Sequence, residues 1–248
     1  MAKAKAKAKG KIITAVQVLL AVVVVGAVGF LGWHAYQYWQ ADMFFSAMEQ
    51  EYTNNADDNM GFQVDFDAVQ EKYPGVVAWL RVPDLGLSRP VMQGTDDSFY
   101  LSHNPSGDYS YDGSIFLSAG CESLSDAHLL IYGHNMRDGS MFGSMDKFQD
   151  SSFFKTAAQT VYLYTPTETR VYKMFSVQVV SPYSSVYTLG FQHDEEFGAF
   201  VKQLQADSMH KTKNTVTQDD QVLTLSTCSN HVNRLVVSCV LSKTVPVS

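Results

Sequence analysis

A cysteine and an arginine lie close together near the end of the chain, in the stretch LTLSTCSNHVNRLVV. The apolar alternation before Cys228 and after Arg234 predicts two β-strands, and the residues SNHVN between them suit a hairpin turn. Opposite residues of an antiparallel pair point to the same face, with Cβ atoms about 4.5 to 5.5 Å apart. We therefore expect the guanidinium of Arg234 to lie near the thiol of Cys228.

The alternation within the first of these strands separates polar from apolar side chains. One face carries Val222, Thr224, Ser226 and Cys228, and the other carries Leu223, Leu225 and Thr227, so the hydroxyls of Thr224 and Ser226 share the face of the cysteine. A cysteine that only filled the core would be expected on the face with the leucines. The pattern favours a reactive thiol, and its alternative is a small buried cysteine followed by an ordinary turn.

A nucleophilic cysteine needs a proton acceptor, commonly a histidine that folding brings close. The best placed of the seven histidines is His134, in the stretch YGHNMRDGSMFG. An apolar strand ends there and a Gly- and Ser-containing loop begins, a position at which functional side chains are often presented. His103 and His128 are alternatives, as is His231 in the hairpin loop. The pattern alone also allows His134 to be a turn residue with local hydrogen bonds.

The elements that must position these residues are mostly strands. Eight short β-branched or aromatic runs separated by turn residues predict a barrel or a sandwich, and they are 76–82, 90–93, 114–117, 129–132, 161–164, 170–180, 222–228 and 234–241. The stretch DEEFGAFVKQLQADS predicts one amphipathic helix with Asp194 as its N-cap. A shorter helix is predicted in VDFDAVQEKYPG, where Asp67 and Gln70 have capping-box spacing.

The N-terminal segment predicts a membrane anchor. Residues 12–33 carry no charge and, at about 1.5 Å of rise per residue, are long enough as a helix to cross a bilayer. The lysine-rich residues 1–11 predict a cytoplasmic N-terminus and an extracytoplasmic remainder. The bulky WHAYQYW after the apolar run favours an uncleaved anchor over a cleaved signal peptide. We expect residues 34–62 to form a stalk or linker helix and residues 63–248 to form the extracytoplasmic domain.

Charge and cysteine content limit the function further. Five of the 18 Lys and Arg residues lie in the basic tail, which leaves 13 against 25 Asp and Glu in the rest of the chain. Such an acidic domain is unsuited to binding nucleic acid or an anionic membrane surface. Of the three cysteines at least one stays free, and a bridge between Cys121 and Cys239 is compatible with the sequence. We predict no metal site and no cofactor.

The motifs YGHNMRDGSMFG, LTLSTC and RLVVSCVL, in this order behind an N-terminal anchor, resemble those of the sortase family. Residues 64–117 are similar to its class B branch. The resemblance extends over residues 63–241 and implies a mostly β protein with an eight-stranded sortase barrel, a few short helices and one transmembrane helix in front. It implies that Cys228, His134 and Arg234 are catalytic. Class B members often have a longer and sometimes acidic insert where this chain has only SNHVN.

The resemblance also implies an activity, that of a membrane-anchored cysteine transpeptidase. Such an enzyme cleaves a C-terminal sorting signal of secreted proteins, here of the Asn-Pro-x-Thr kind, forms a thioacyl intermediate and transfers it to an amine of a peptidoglycan precursor or a pilin. It implies that Ser226 and Tyr187 contact substrate, although a strand-edge role for Ser226 and a core role for Tyr187 are the alternatives.

Ordinary pKa values of ~8.5 for a thiol and ~6.5 for an imidazole leave only about one per cent of molecules as the thiolate and imidazolium pair at neutral pH, which predicts a slow enzyme. Two other functions fit the same residues. One is an exported cysteine protease that only hydrolyses its substrate, and the other is a surface module without catalysis.

Overall fold

The computed structural model describes the backbone of residues 2–228 and 233–247, and the side chains of residues 16–227 and 233–247. The chain divides into two compact units, Met1–Met43 and Phe44–Ser248. Helix α1 (Ala2–Tyr52) supplies the first unit, and its apolar side chains from Val16 to Trp33 are mostly exposed. It is the one helix in the described part of the chain that is long and apolar enough to cross a membrane.

The second unit is a closed barrel, in the strand order β1, β2, β3, β4, β7, β8, β6, β5. The strands are β1 (Val76–Val82), β2 (Leu87–Gln93), β3 (Ile115–Leu117), β4 (His128–His134), β5 (Thr160–Tyr164), β6 (Glu168–Val180), β7 (Val222–Cys228) and β8 (Arg234–Pro246). The pairs β2 with β3 and β4 with β7 are parallel, and the other neighbours are antiparallel. The predicted eight-stranded barrel is therefore confirmed.

Three further helices pack around the barrel: α2 (Phe66–Lys72), α3 (Ser151–Thr156) and α4 (Glu195–Ala206). Helix α4 begins at the predicted cap, where the Asp194 carboxylate accepts from Phe197 N at 3.1 Å. Its buried face covers the outside of the β7 and β8 sheet, because Phe197 and Val201 join Val222 and Val236 in one apolar cluster. Burying side chains of this size contributes about 1.5 to 3 kcal/mol each. The cluster makes the sheet beneath α4 buried on both faces.

The predicted cap of helix α2 is wrong by two residues. Asp65, rather than Asp67, is the N-cap, and its carboxylate accepts from Ala68 N at 3.0 Å. The helix begins at the buried Phe66, directly after Asp65, so Asp67 lies in its first turn. Gln70 does not close a capping box, because its side-chain amide donates to Val76 O at 2.8 Å.

The barrel unit begins within the segment that the sequence predicts as a stalk. Phe45, Met48 and Tyr52, on the last turns of α1, are buried. The loop that follows is also packed, because the Arg81 guanidinium lies 4.1 Å from the ring centre of Phe62. Residues 44–62 are therefore part of the compact unit that carries the barrel.

Candidate active site

The backbone register of two parallel strands brings His134 and Cys228 together. Strands β4 and β7 pair residue for residue, from His128 with Val222 to His134 with Cys228. Neighbouring strands lie about 4.8 Å apart, so the last pair of this ladder joins the two positions across one strand spacing. The side chain of Cys228 lies outside the described residues. The residues 229–232, which include His231 and most of the SNHVN loop, lie outside them as well.

Arg234 opens strand β8 on the other side of β7. The antiparallel ladder of β7 and β8 runs to the pair Ser226 and Val236, and beyond it Leu235 N donates to Thr227 Oγ1 at 3.0 Å. Arg234 pairs with Val180, at the end of β6. His134, Cys228 and Arg234 therefore lie on three adjacent strands at one end of the barrel, β4, β7 and β8 in that order.

A backbone carbonyl orients the imidazole of His134. Its Nε2 lies 2.6 Å from Leu101 O, in the short 3-10 helix Phe99–Leu101. A carbonyl oxygen only accepts, so Nε2 is the nitrogen that carries a proton. In the neutral ring this leaves the lone pair on Nδ1. The His134 side chain is half-buried, so its ring lies at the surface at this end of the barrel. The sequence pattern gave no sign of the contact with Leu101.

The loop after His134 is held by two glycines. A Cβ on Gly133 would lie 2.8 Å from the ring of Phe142, and one on Gly143 would lie 2.0 Å from Met136 O. Phe142 is fully buried, and its N–H donates to His134 O at 2.8 Å. The glycines of YGHNMRDGSMFG thus allow the chain to fold back tightly onto the end of β4. This packing fixes where the strand presents His134.

The two predicted substrate residues are in direct contact. Tyr187 Oη and Ser226 Oγ are 3.1 Å apart, and Ser226 is fully buried. The ring of Tyr187 also stacks on that of Tyr132, with centroids 6.3 Å apart and planes at 22°. Tyr132 pairs with Ser226 in the ladder that joins His134 to Cys228. The sequence pattern did not single out Tyr132, although its place two residues before His134 puts both side chains on the same face.

The other two cysteines are unsuited to nucleophilic chemistry. Cys121 and Cys239 are free, buried thiols, so no bridge joins them. Burial raises the pKa of Cys121 to about 11, and it raises the pKa of Cys239 further above the ordinary value for a thiol. Since the thiolate is the reactive form, both are inert at neutral pH. Cys228 remains as the candidate nucleophile.

The alternative histidines have structural contacts. His128 is buried and bonded at both ring nitrogens. His103 stacks on Phe99 at 4.1 Å, and its Nδ1 lies 2.8 Å from Phe99 O. In the ladder of β4 and β7, Cys228 pairs with His134 and with neither of these histidines. Within the described residues, no group of three or more His, Cys, Asp or Glu side chains is arranged to hold a metal ion.

A family model described as the sortase domain matches residues 80–242. The match spans most of the chain and includes His134, Cys228 and Arg234. The chain belongs to the sortase family, whose members are cysteine transpeptidases.

The relatives also define the branch. Sortase B of Listeria monocytogenes is 27% identical over 217 residues, which are 84% of this chain and 88% of that protein. A crystal structure of sortase B from Bacillus anthracis is 31% identical with a TM-score of 0.75, and the match covers 84% of this chain and 99% of that one. Sortase B from Clostridium perfringens is 28% identical with a TM-score of 0.67, over 71% of this chain and 99% of that one. The similarity places the chain in class B.

Proposed function

We propose that this chain is a membrane-anchored transpeptidase that uses Cys228 as nucleophile, His134 as general acid and base, and Arg234 as oxyanion donor. The observation that supports the proposal is the pairing of His134 with Cys228 in the β4 and β7 ladder, together with the position of Arg234 at the start of the neighbouring strand β8. In this proposal the apolar part of α1 spans the membrane, with the lysine-rich end in the cytoplasm.

The first half of the reaction cleaves the substrate. The thiol proton of Cys228 passes to His134 and the sulfur forms a bond to the scissile carbonyl carbon. Arg234 stabilises the oxyanion of the tetrahedral intermediate with its fixed N–H donors. The carbon to nitrogen bond then breaks, and His134 gives a proton to the leaving amine. The product is a thioester on Cys228. The Nε2 contact with Leu101 supports Nδ1 as the nitrogen that exchanges this proton.

The second half transfers the acyl group. An incoming amine attacks the thioester carbon and loses a proton to His134, and the thiolate of Cys228 leaves. A new amide replaces the amide that was cleaved, so the enzyme needs no external energy source. We propose an amine of a peptidoglycan precursor or of a pilin as the acceptor, which would suit a domain with an excess of acidic residues.

Tyr187 and Tyr132 form the proposed wall of the substrate groove, and the buried Ser226 hydroxyl supports Tyr187 from beneath. Their stacked rings and the Tyr187 to Ser226 contact lie along β7 next to Cys228. An aromatic wall with hydroxyl groups suits a peptide that combines a proline ring with polar side chains. We propose that it receives a C-terminal sorting signal of the Asn-Pro-x-Thr kind.

Mass spectrometry of the full-length chain in detergent micelles tests the proposal. The protein is incubated with a library of sorting peptides, with and without triglycine, a peptidoglycan stem peptide or a lysine-containing pilin peptide. We expect an acyl adduct on Cys228 that an amine converts into a ligated product. Cys228→Ala should abolish the adduct, whereas the matched control Cys121→Ala should keep it.

The same experiment separates the alternative functions. Hydrolysis at a rate that added amine does not change would identify a protease. A chain that forms no adduct with any peptide would be a surface module without catalysis.

A further inference from the structure

A second histidine on β4 is bonded at both ring nitrogens beneath the surface. His128 is 2% exposed, and its ring centre lies 5.0 Å from that of Phe200 on α4. Its Nδ1 lies 2.9 Å from Thr188 O, and its Nε2 lies 2.9 Å from Thr224 Oγ1. Thr224 Oγ1 is in turn 3.0 Å from Ser238 Oγ. The contacts form one chain from β8 through β7 and β4 to the segment that joins β6 to α4.

The partners determine the direction of every bond in this chain. Thr188 O only accepts, so Nδ1 of His128 carries the proton and donates it. A neutral imidazole then has its lone pair on Nε2, so the Thr224 hydroxyl donates to it, and Ser238 donates to Thr224. Burial lowers the pKa of His128 to about 4, which keeps the ring in this neutral form at the pH of any ordinary environment. The ring therefore has one donor and one acceptor, and both are in use.

The segment that His128 holds carries the proposed substrate residue Tyr187. Residues 181–194 connect β6 to α4, and Thr188 follows Tyr187 directly. Val186 of this segment is buried in the apolar cluster under α4. Val186 precedes Tyr187 and Thr188 follows it, so the hydrogen bond from His128 to Thr188 O attaches the segment on the C-terminal side of Tyr187. Such a bond constrains the backbone at Thr188, and with it the position of the Tyr187 ring above Ser226.

We propose that His128 is a positioning residue for substrate binding, which acts by holding Thr188 so that Tyr187 stays stacked on Tyr132 and in contact with Ser226. The inference rests on the proposed role of Tyr187 in the substrate groove. His128 itself touches neither the substrate nor the reacting atoms, because its ring is enclosed by α4, β7 and the 181–194 segment.

Two substitutions separate the two bonds of the ring. In His128→Asn the amide nitrogen occupies roughly the place of Nδ1, which keeps the donor for Thr188 O and loses the partner of Thr224. In His128→Gln the amide lies near the place of Nε2, which keeps a partner for Thr224 and loses the donor for Thr188. Both remove a buried ring, so each serves as the stability control of the other.

The full-length chain in detergent is assayed with a sorting peptide and triglycine, well below the melting temperature of each variant. We expect His128→Gln to raise KM about tenfold with kcat within about twofold. Loss of the hydrogen bond to Thr188 should lower the population of the position of Tyr187 that binds substrate by about a factor of ten. His128→Asn should keep KM within about threefold. If KM is the same in both variants, or if both lose kcat in parallel with stability, the positioning role is overturned.

A second readout does not depend on activity. Hydrogen exchange measured by mass spectrometry should show faster exchange of residues 184–190 in His128→Gln than in His128→Asn. Equal exchange in the two variants would contradict the tether even if the wild-type chain processes sorting peptides. Faster exchange in a chain that processes none would keep the tether and refute the proposed function instead.

If His128→Gln does not fold, the wild-type chain still tests the inference. Nitrogen NMR of selectively labelled histidine should give a neutral Nδ1–H tautomer for His128 with a slowly exchanging proton. A neutral Nε2–H tautomer would remove the bond to Thr188 and with it the proposal.

Discussion

The two ends of strand β4 carry the same residue type on the same face, in different surroundings. His128 is 2% exposed and bonded at both nitrogens, whereas His134 is half-buried and, among the residues that the structure describes, bonds through Nε2 to Leu101 O. Because the two residues are six positions apart on the strand, their side chains lie on the same side of the sheet. What differs is the cover, since α4 and residues 181–194 lie over His128, while β4 ends at His134. We infer that this cover assigns one histidine to structure and leaves the other for chemistry.

Helix α4 and residues 181–194 exclude water from the ring of His128. Burial disfavours the charged form of an imidazole, and it lowers the pKa of His128 to about 4 although the bond to Thr188 acts in the opposite direction. In the proposed mechanism, the ring of His134 uses its Nδ1 for proton exchange. The same contrast divides the cysteines, because Cys121 and Cys239 lie in the core and Cys228 ends a strand at the rim.

The largest expected effect comes from removing the histidine at the rim. His134→Ala should lower kcat for peptide transfer by about 10³-fold, the usual contribution of a general acid and base. Its melting temperature should stay within about 3 °C of the wild type, because a half-buried ring contributes little packing. Transfer kinetics and thermal melts of the same samples check both expectations.

The matched control is His193→Ala, which removes a histidine bonded to Gln218 O away from β4. It should change kcat by less than about twofold. A His134→Ala variant that keeps more than a tenth of the wild-type kcat would remove His134 from the proposed mechanism.

A second effect comes from the pH dependence of stability at His128. Its pKa is about 4 in the folded chain, against 6.5 for a solvated histidine, so the unfolded chain binds the proton first as the pH falls. The resulting stability is complete above pH 6.5 and is lost between pH 6.5 and 4. The two pKa values correspond to about 3 kcal/mol. Urea unfolding of the full-length chain at pH 7.5 and 4.5 measures the loss.

The His128→Gln variant isolates this contribution, because other groups titrate alike in both proteins. The wild type should lose about 2 to 3 kcal/mol more than the variant between these two pH values. An equal loss in both proteins would show that His128 titrates normally and is not enclosed as the structure indicates.

A third effect concerns the support of His134. Gly133→Ala places a methyl group 2.8 Å from the ring of Phe142, which then has to move together with the loop after His134. We expect a stability loss of about 1 to 3 kcal/mol, as for other overpacked cores, and a lower kcat. Combining it with Phe142→Leu, which removes the ring from that contact, should recover part of the kcat. No recovery would mean that the Phe142 contact does not set the position of His134.

The sequence predicted the strands and the antiparallel pairing of β7 with β8, but not the pairing of strands that are distant in sequence. All eight strands of the barrel coincide with the predicted β-branched or aromatic runs, and His134 follows from a strand that ends in glycine and histidine. Strand β2 starts at Leu87, whereas the predicted strand starts at residue 90. The prediction missed the first three residues because Ser88 and Arg89 interrupt the β-branched pattern. The parallel pairing of β4 with β7 joins segments far apart in sequence, and no local pattern encodes it. The same holds for the contact of Leu101 with His134 and for the role of His128.

The smallest effect tests the far side of the His128 ring. Thr224→Val removes the hydroxyl that donates to Nε2 and leaves that nitrogen buried without a donor, which should cost about 1 to 2 kcal/mol. Thr224→Ser keeps the hydroxyl and should cost less than half as much. KM for the sorting peptide should stay close to the wild-type value in both, because the Nδ1 bond to Thr188 is intact. A rise in KM as large as that of His128→Gln would mean that the whole hydrogen-bonded chain, rather than the bond to Thr188 alone, holds Tyr187 in place.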